Sequence, residues 1–322
     1  MTVLNQTTVY LILKSSRPRQ WVKNASLYAA LVFSGFLFYD PLDAVPYFVT
    51  VSVAVFIFTM LTSAVYLVND IIDVDADRQH PFKKKRPIAS GALPLKTAKM
   101  AAFTLLGLVF VSSLFMPLFF RLLLIAYIVL QVFYARILKH IPILDVASIA
   151  LGFLIRIYAG AVVANLHMSV WFLLTVISAS LFLAVGKRQS ERTLLKGNAD
   201  IDMGSTRKIL KRYSERLLDQ YTGMFATATW LTYAIFTFQN EMEAPRSQFA
   251  TLYQYLPRAL QSQKLLMFSV PFVIFGVMRY LQLVYESNQG ESPERILFND
   301  KPLLATVFFF GLSVIVILYL FV

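Results

Sequence analysis

Cysteine is absent from the 322 residues, which excludes disulfides, thiolate metal sites and cysteine nucleophiles together. Only three histidines are present, too scattered for a His-rich zinc site, so any metal must be held by oxygen ligands. Acid is scarce as well: 18 Asp and Glu against 30 Lys and Arg leave a formal charge of +12. No short-period repeat, low-complexity run or linker divides the chain, and residues 1–322 read as a single integral membrane domain. No small-residue cleavage site follows the basic stretch of Lys14, Arg17 and Arg19, so these residues are expected to remain in the mature protein.

Apolar surface is what the chain has in excess. Hydrophobic residues make up 57% of it, against roughly 45–50% in soluble domains, and the mean hydropathy is +0.62. Stretches near spanning length recur at 25–39, 47–68, 97–114, 118–135, 144–163, 169–186, 217–238, 265–285 and 303–322, which predicts an all-α polytopic protein with nine transmembrane helices. Lysines and arginines gather in the N-terminal segment, in 78–96, in 136–140 and in 187–216, whereas the opposite segments are basic-poor or hold Asp40 and Asp43. Arg121 and the 240–264 loop, with Arg246, Arg258 and Lys264, run against that contrast. The positive-inside rule places the basic segments, and with them the N-terminus, in the cytoplasm and the C-terminus on the opposite side. The same charge is open to a second reading, recognition of anionic substrates. Nucleic acid is not an expected partner, because the charge is spread over several loops without a recognisable binding module.

Acid concentrates at the cytoplasmic end of the second span, in Asn69, Asp70, Asp73, Asp75 and Asp77. On a continuous helix Asp70, Asp73 and Asp77 share one face, Asn69 borders it and Asp75 points away. Such a cluster at a helix C-terminus repels itself unless a cation sits against it, and Mg2+, which takes one or two carboxylates plus substrate phosphates, suits it. A solvated helix end whose acids pair with Arg78 and Lys83 to Arg86 satisfies the same spacing.

The pattern Asn69-Asp70-x-x-Asp73-x-x-x-Asp77 is similar to the first Asp-rich motif of the UbiA superfamily of intramembrane prenyltransferases. More narrowly, Arg17-Pro-Arg-Gln-Trp-Val-Lys23-Asn24, His80-Pro81-x-Lys83-x-x-Arg86-Pro-Ile-Ala-x-Gly91 and Gly186-Lys187-Arg188 resemble its decaprenyl-phosphate phosphoribosyltransferase branch, over roughly the first two-thirds of the chain. The resemblance implies nine helices around a central cavity open to the cytoplasm and laterally to lipid. It also implies a Mg2+-dependent transfer of 5-phosphoribose from phosphoribosyl pyrophosphate to a polyprenyl phosphate in a bacterial cytoplasmic membrane, feeding cell-wall arabinan synthesis. Asn69, Asp70, Asp73 and Asp77 would then bind metal, with Asp73, Asp77, Lys83 and Arg86 catalytic. Arg19, Lys23, Asn69, Lys187 and Arg188 would bind substrate.

One departure from the superfamily pattern stands out. The stretch after the fourth span offers Asp145 but no second acid one helical turn later, which counts against ordinary prenyl transfer and suits a pocket where cations hold a second anion. Lys139, His140 and Arg156 are the candidates for that anion, the lipid phosphate. Arg156 lies deep in an apolar span and is a functional hypothesis on that ground, with a buried ion pair to Asp145 or another acid as the alternative. Gly152 and Gly160 read as small packing residues between helices. Two other functions stay open: a prenyltransferase moving a polyprenyl chain to an aromatic acceptor, and a transporter or lipid-binding membrane protein. Membrane lipids are partners in every case, and a homo-oligomer is compatible with the sequence.

Overall fold

The computed structural model describes residues 6–39, 45–79, 83–197, 213–239, 264–286, 296 and 299–320. Asp40, Asp43, His80, Pro81, Lys208, Arg246 and Arg258 lie outside them. Every regular element among the described residues is helical. Among the described residues, seven helices are long and apolar enough to cross a membrane, so the chain is an integral membrane protein.

Two compact units divide the chain, and the boundary falls inside two helices. The first unit holds α1 (Gln6–Ser15), a 3-10 helix (Pro18–Tyr28), α3 (Tyr47–Ile72), α4 (Val74–Gln79), α5 (Leu95–Ser113), α6 (Leu118–Arg136) and the end of α7 (Leu144–Val163) from Ile155 onward; α2 (Ala29–Phe33) crosses the boundary. The second holds the start of α7, α8 (Val170–Gly197), α9 (Glu215–Gln239), α10 (Val270–Tyr285) and α11 (Lys301–Leu320). The expected span over 25–39 is not a single helix: the 3-10 helix runs into the five-residue α2. The segment 217–238 does form a helix, α9, yet it is not among the seven apolar ones. Asp219 and a series of threonines lower its apolarity, and Thr222, Thr229 and Thr232 return their hydroxyls to the carbonyls four residues back at 2.7 Å.

Within the first unit, α5 turns Ala98, Ala102, Val109 and Ser113 inward and leaves Phe103 and Phe110 largely exposed. A helix apolar on its outer face as well belongs in lipid. Leu67 of α3, Ala98 and Ala102 of α5, and Ile88 and Leu93 of the connecting loop form one core cluster, so the loop after the acidic motif is anchored from beneath.

The 3-10 helix is long for its type, since runs beyond three or four residues are uncommon. It lies antiparallel to α3, as the pairings show. Trp21 donates to Ser63 Oγ at 3.1 Å, Asn24 to Thr59 and Thr62 at 3.0 and 3.2 Å, and Tyr28 OH meets Ser52 Oγ at 2.7 Å. The tighter helix lets the segment keep pace with α3. Arg17 to Tyr28 covers about 22 Å at the 3-10 rise and only about 16 Å as an α-helix, while Asp70 to Ser52 covers about 27 Å. The second unit is built around Phe182, Ala226, Val277, Tyr280, Leu283 and Leu303, with a second cluster of Val146, Ala184, Val185, Tyr213 and Leu218.

Candidate active site

Helix α3 ends at Asp73 (φ −86°, ψ 7°), and α4 starts one residue later. Hydrogen bonds carry the near-helical path through the break, from the Asp73 amide to the Asn69 carbonyl at 2.9 Å and from the Asp77 amide to the Asp73 carbonyl at 2.8 Å. The break changes the expected face. Asp70 and Asp77 are buried, at 3% and 2% exposure, whereas Asp73 is exposed. Asp75 is exposed too and pairs with Arg78 at 3.5 Å, in line with its expected outward position.

Cations close around the buried pair. Nη1 of Arg86 donates to Asp70 Oδ1 at 3.1 Å and to Asp77 Oδ2 at 2.5 Å. Arg17 Nη2 donates to the same Asp70 oxygen at 2.6 Å, its guanidinium carbon lies 4.8 Å from the Tyr66 ring centroid, and Lys83 Nζ stands 3.9 Å from Asp77 Oδ1. Arg17 holds a left-handed backbone (φ 55°, ψ 64°), a conformation that costs a non-glycine residue energy and clusters at functional sites. Arg86 is fixed by its own loop. Its amide bonds to the Lys83 carbonyl, its carbonyl accepts from Ser90 N, and Leu93 N closes on the Pro87 carbonyl at 2.8 Å. Buried Ile88 and Leu93 hold that loop to the core.

Among the described residues no three acids or histidines converge as a metal cluster. The convergent pair is Asp70 and Asp77, and one guanidinium nitrogen bonds both. A position of positive charge between two carboxylates fits Mg2+, which takes one or two carboxylates and completes its shell with water and phosphate oxygens. A cleft of about 260 Å³ opens beside the pair, lined by Lys14, Ser15, Arg17, Asp70, Lys85 and Arg86.

The remaining predicted residues are spread over both units. Arg19 is exposed and Lys23 half-buried on the 3-10 helix. Arg156 is 6% exposed. Its Nε donates to Asn24 Oδ1 at 3.1 Å and its Nη2 to the Tyr127 hydroxyl at 2.7 Å, with its guanidinium carbon 4.9 Å from the Tyr127 ring centroid. The alternative of an Arg156–Asp145 pair is not what forms. Asp145, fully buried, accepts from Arg188 Nε at 2.8 Å and from Tyr213 OH at 2.7 Å. Arg188 also reaches Glu191 at 2.8 Å, and the Ile143 amide donates to the Tyr213 oxygen at 2.6 Å. Burial, with Asp145 adding to it, pushes the Tyr213 phenol above the usual tyrosine range. Also in the second unit, Lys139 and Lys187 are half-buried and His140 is exposed.

Sequence reasoning left the polar cleft residues Lys14, Ser15, Arg17 and Lys85 out of the predicted site. The signal for Arg17 was present, since it opens the Arg17-to-Asn24 motif, but a left-handed residue cannot be read from composition. Asn24 and Tyr127, the partners of Arg156, are neutral and gave no charge signal.

Residues 26–299 match the UbiA prenyltransferase family. A decaprenyl-phosphate phosphoribosyltransferase of Mycolicibacterium smegmatis is 35% identical over 303 residues, covering 91% of this chain and 87% of the relative. One from Corynebacterium glutamicum is 34% identical over 296 residues, covering 91% and 82%. The structure of a UbiA homolog from Archaeoglobus fulgidus bound to GPP and Mg2+ superposes with a TM-score of 0.65 over 96% of this chain and 99% of that one, at 17% identity, a likeness of fold. With the family match over most of its length and relatives above 30% identity across nine-tenths of it, this chain belongs to the UbiA prenyltransferase family.

Proposed function

We infer that the chain is a phosphoribosyltransferase, moving 5-phosphoribose from phosphoribosyl pyrophosphate to a decaprenyl-type polyprenyl phosphate with release of pyrophosphate. The observation that carries this reading is the likeness, at 34–35% identity over 91% of the chain, to enzymes named for that substrate. The site supports it. The acidic motif is intact, while the one acid after the fourth span, Asp145, is enclosed by Arg188 and Tyr213.

Positive charge develops on the ribose carbon as the bond to pyrophosphate breaks, and negative charge grows on the departing diphosphate. Asp70 and Asp77 would hold Mg2+ with Asn69, and exposed Asp73 is available to an arriving metal-bound donor; when bound, the ion supplies neutralisation of the leaving group. Arg86 and Lys83 add fixed positive charge at the same acids, preorganised by the loop. The acceptor phosphate is an anion at neutral pH and needs no strong general base. Arg19, Lys23 and Lys187 are assigned to substrate binding, with Lys139 and His140 in one unit and Arg156 in the other as separate candidates for the acceptor phosphate. Arg188 is assigned to positioning, since it pairs with Asp145 and Glu191 of its own network. Nine membrane crossings, a cytoplasmic N-terminus, a bacterial inner membrane and an arabinan-precursor product complete the reading.

Purified protein offered both phosphoribosyl pyrophosphate with polyprenyl phosphate, and polyprenyl diphosphate with an aromatic acid, should yield a phosphoribosylated lipid by mass. A prenylated aromatic in its place would move the assignment to ordinary prenyl transfer.

A further inference from the structure

The cleft beside Asp70 holds more positive charge than its acids use. Of its four cations, Arg17 and Arg86 are engaged with Asp70 and Asp77, while Lys14 and Lys85 are exposed and form no ion pair among the described residues. Exposed lysines alone are explained by orientation in the membrane. Ser15 is not. It lines the same cleft, is 2% exposed, and its buried hydroxyl has no hydrogen-bond partner among the described residues.

Its neighbour provides the contrast. Ser16, equally buried, returns its hydroxyl to the Ile12 carbonyl at 3.0 Å, the ordinary choice of a helical serine. Ser15, at the end of α1, makes no such bond, and an unmade hydrogen bond in a buried site carries a real cost. Lys14, Ser15 and Lys85 line one cleft, and a hydroxyl donor with two ammonium groups is a donor set that a phosphate monoester satisfies, because its oxygens accept from all three and its charge balances the lysines.

We propose that Lys14, Ser15 and Lys85 form a second anion subsite that takes the 5-phosphate of the donor sugar while the pyrophosphate end is held at Asp70, Asp77 and Arg86. The assignment rests on the phosphoribosyl-transfer reading above. It makes the cleft selective for a donor anionic at both ends, which a prenyl diphosphate is not.

The test compares phosphoribosyl pyrophosphate with ribose 1-pyrophosphate, which lacks the 5-phosphate, in wild type, Ser15→Ala, Ser15→Thr and Lys85→Met. Wild type should use the dephosphorylated donor roughly ten- to a hundred-fold less well in kcat/KM, as expected for loss of charge-assisted hydrogen bonds. Ser15→Ala and Lys85→Met should raise the KM for phosphoribosyl pyrophosphate with little change in kcat, leave the KM for the lipid alone, and scarcely affect the dephosphorylated donor; Ser15→Thr should retain the wild-type preference. Equal losses with both donors, or a shift in the lipid KM instead, would overturn the subsite while leaving the function standing. Folded wild type that transfers nothing from phosphoribosyl pyrophosphate would sink both.

Discussion

Arg86 sets one guanidinium nitrogen against both Asp70 and Asp77, so the space between those acids is already one where a cation is stable. Asp73 differs from them in kind: its carboxylate is exposed at the helix break, and losing it removes a ligand without uncovering a buried charge. Asp73→Ala should therefore abolish turnover with an unchanged melting curve in detergent. Asp77→Ala should abolish turnover and also cost about 1.5–3 kcal/mol, the range for a hydrogen bond to a charged group. Asp75→Ala should affect neither, because its Arg78 contact lies in solvent. Full activity in Asp73→Ala or Asp77→Ala would remove the metal-site assignment. The acids themselves were legible from their spacing. Which of them is buried was not, since a one-residue break in the helix decides it.

At the level of elements, the 3-10 helix does the positioning: it carries Arg17 to Asp70 and Asn24 to Arg156. The apolar run at 25–39 reads as a span, but α2 stops at Phe33 and Gly35 takes a positive φ of 80°, a conformation that ends helices. A 3-10 helix leaves no periodic signal that separates it from a short α-helix, so the register against α3 could not be read. Gly160 shows how closely α7 approaches it. A Cβ there would lie 1.9 Å from the Leu27 carbonyl oxygen, a backbone atom that cannot swing aside, so the packing role read for this glycine fits. Gly160→Ala should destabilise by about 1–3 kcal/mol or more and raise the donor KM. Gly107→Ala, where a Cβ meets nothing within 4 Å, should be neutral or stabilising by thermal melting. In the second unit, Tyr213→Phe removes a donor to buried Asp145 and an acceptor for Ile143 N–H, and should cost about 1–3 kcal/mol. The Tyr213 phenol ionises above the unfolded value, so this contribution is complete below about pH 10 and is lost only as pH rises through the folded value. Melting the two proteins at neutral and at alkaline pH checks both size and sign.

For the whole molecule, apolar side chains face outward as well as inward, with Phe103, Phe115 and Phe308 among the exposed ones, and this is the property that composition reported from the start. Membrane character and family were readable because they depend on sums over many residues and on short motifs. The number of membrane-length apolar helices was less readable, because a run such as 25–39 divides into a 3-10 helix and a short α2, and threonines and Asp219 lower the apolarity of α9. Orientation is open to a direct test, helped by the absence of native cysteine. Lys84→Cys, in the exposed loop after the acidic motif, should react with a membrane-impermeant maleimide only from the cytoplasmic side; labelling from the opposite side would invert the topology.

Phosphoribosyl transfer at the Asp70–Asp77 pair is tested most directly with ribose-labelled phosphoribosyl pyrophosphate. Purified protein with this donor, polyprenyl phosphate and Mg2+ should place label in the organic-extractable lipid, release one pyrophosphate per label transferred, and stop on chelation. Folded protein that leaves all label in the aqueous phase, or transfers it undiminished under chelator, would contradict the account.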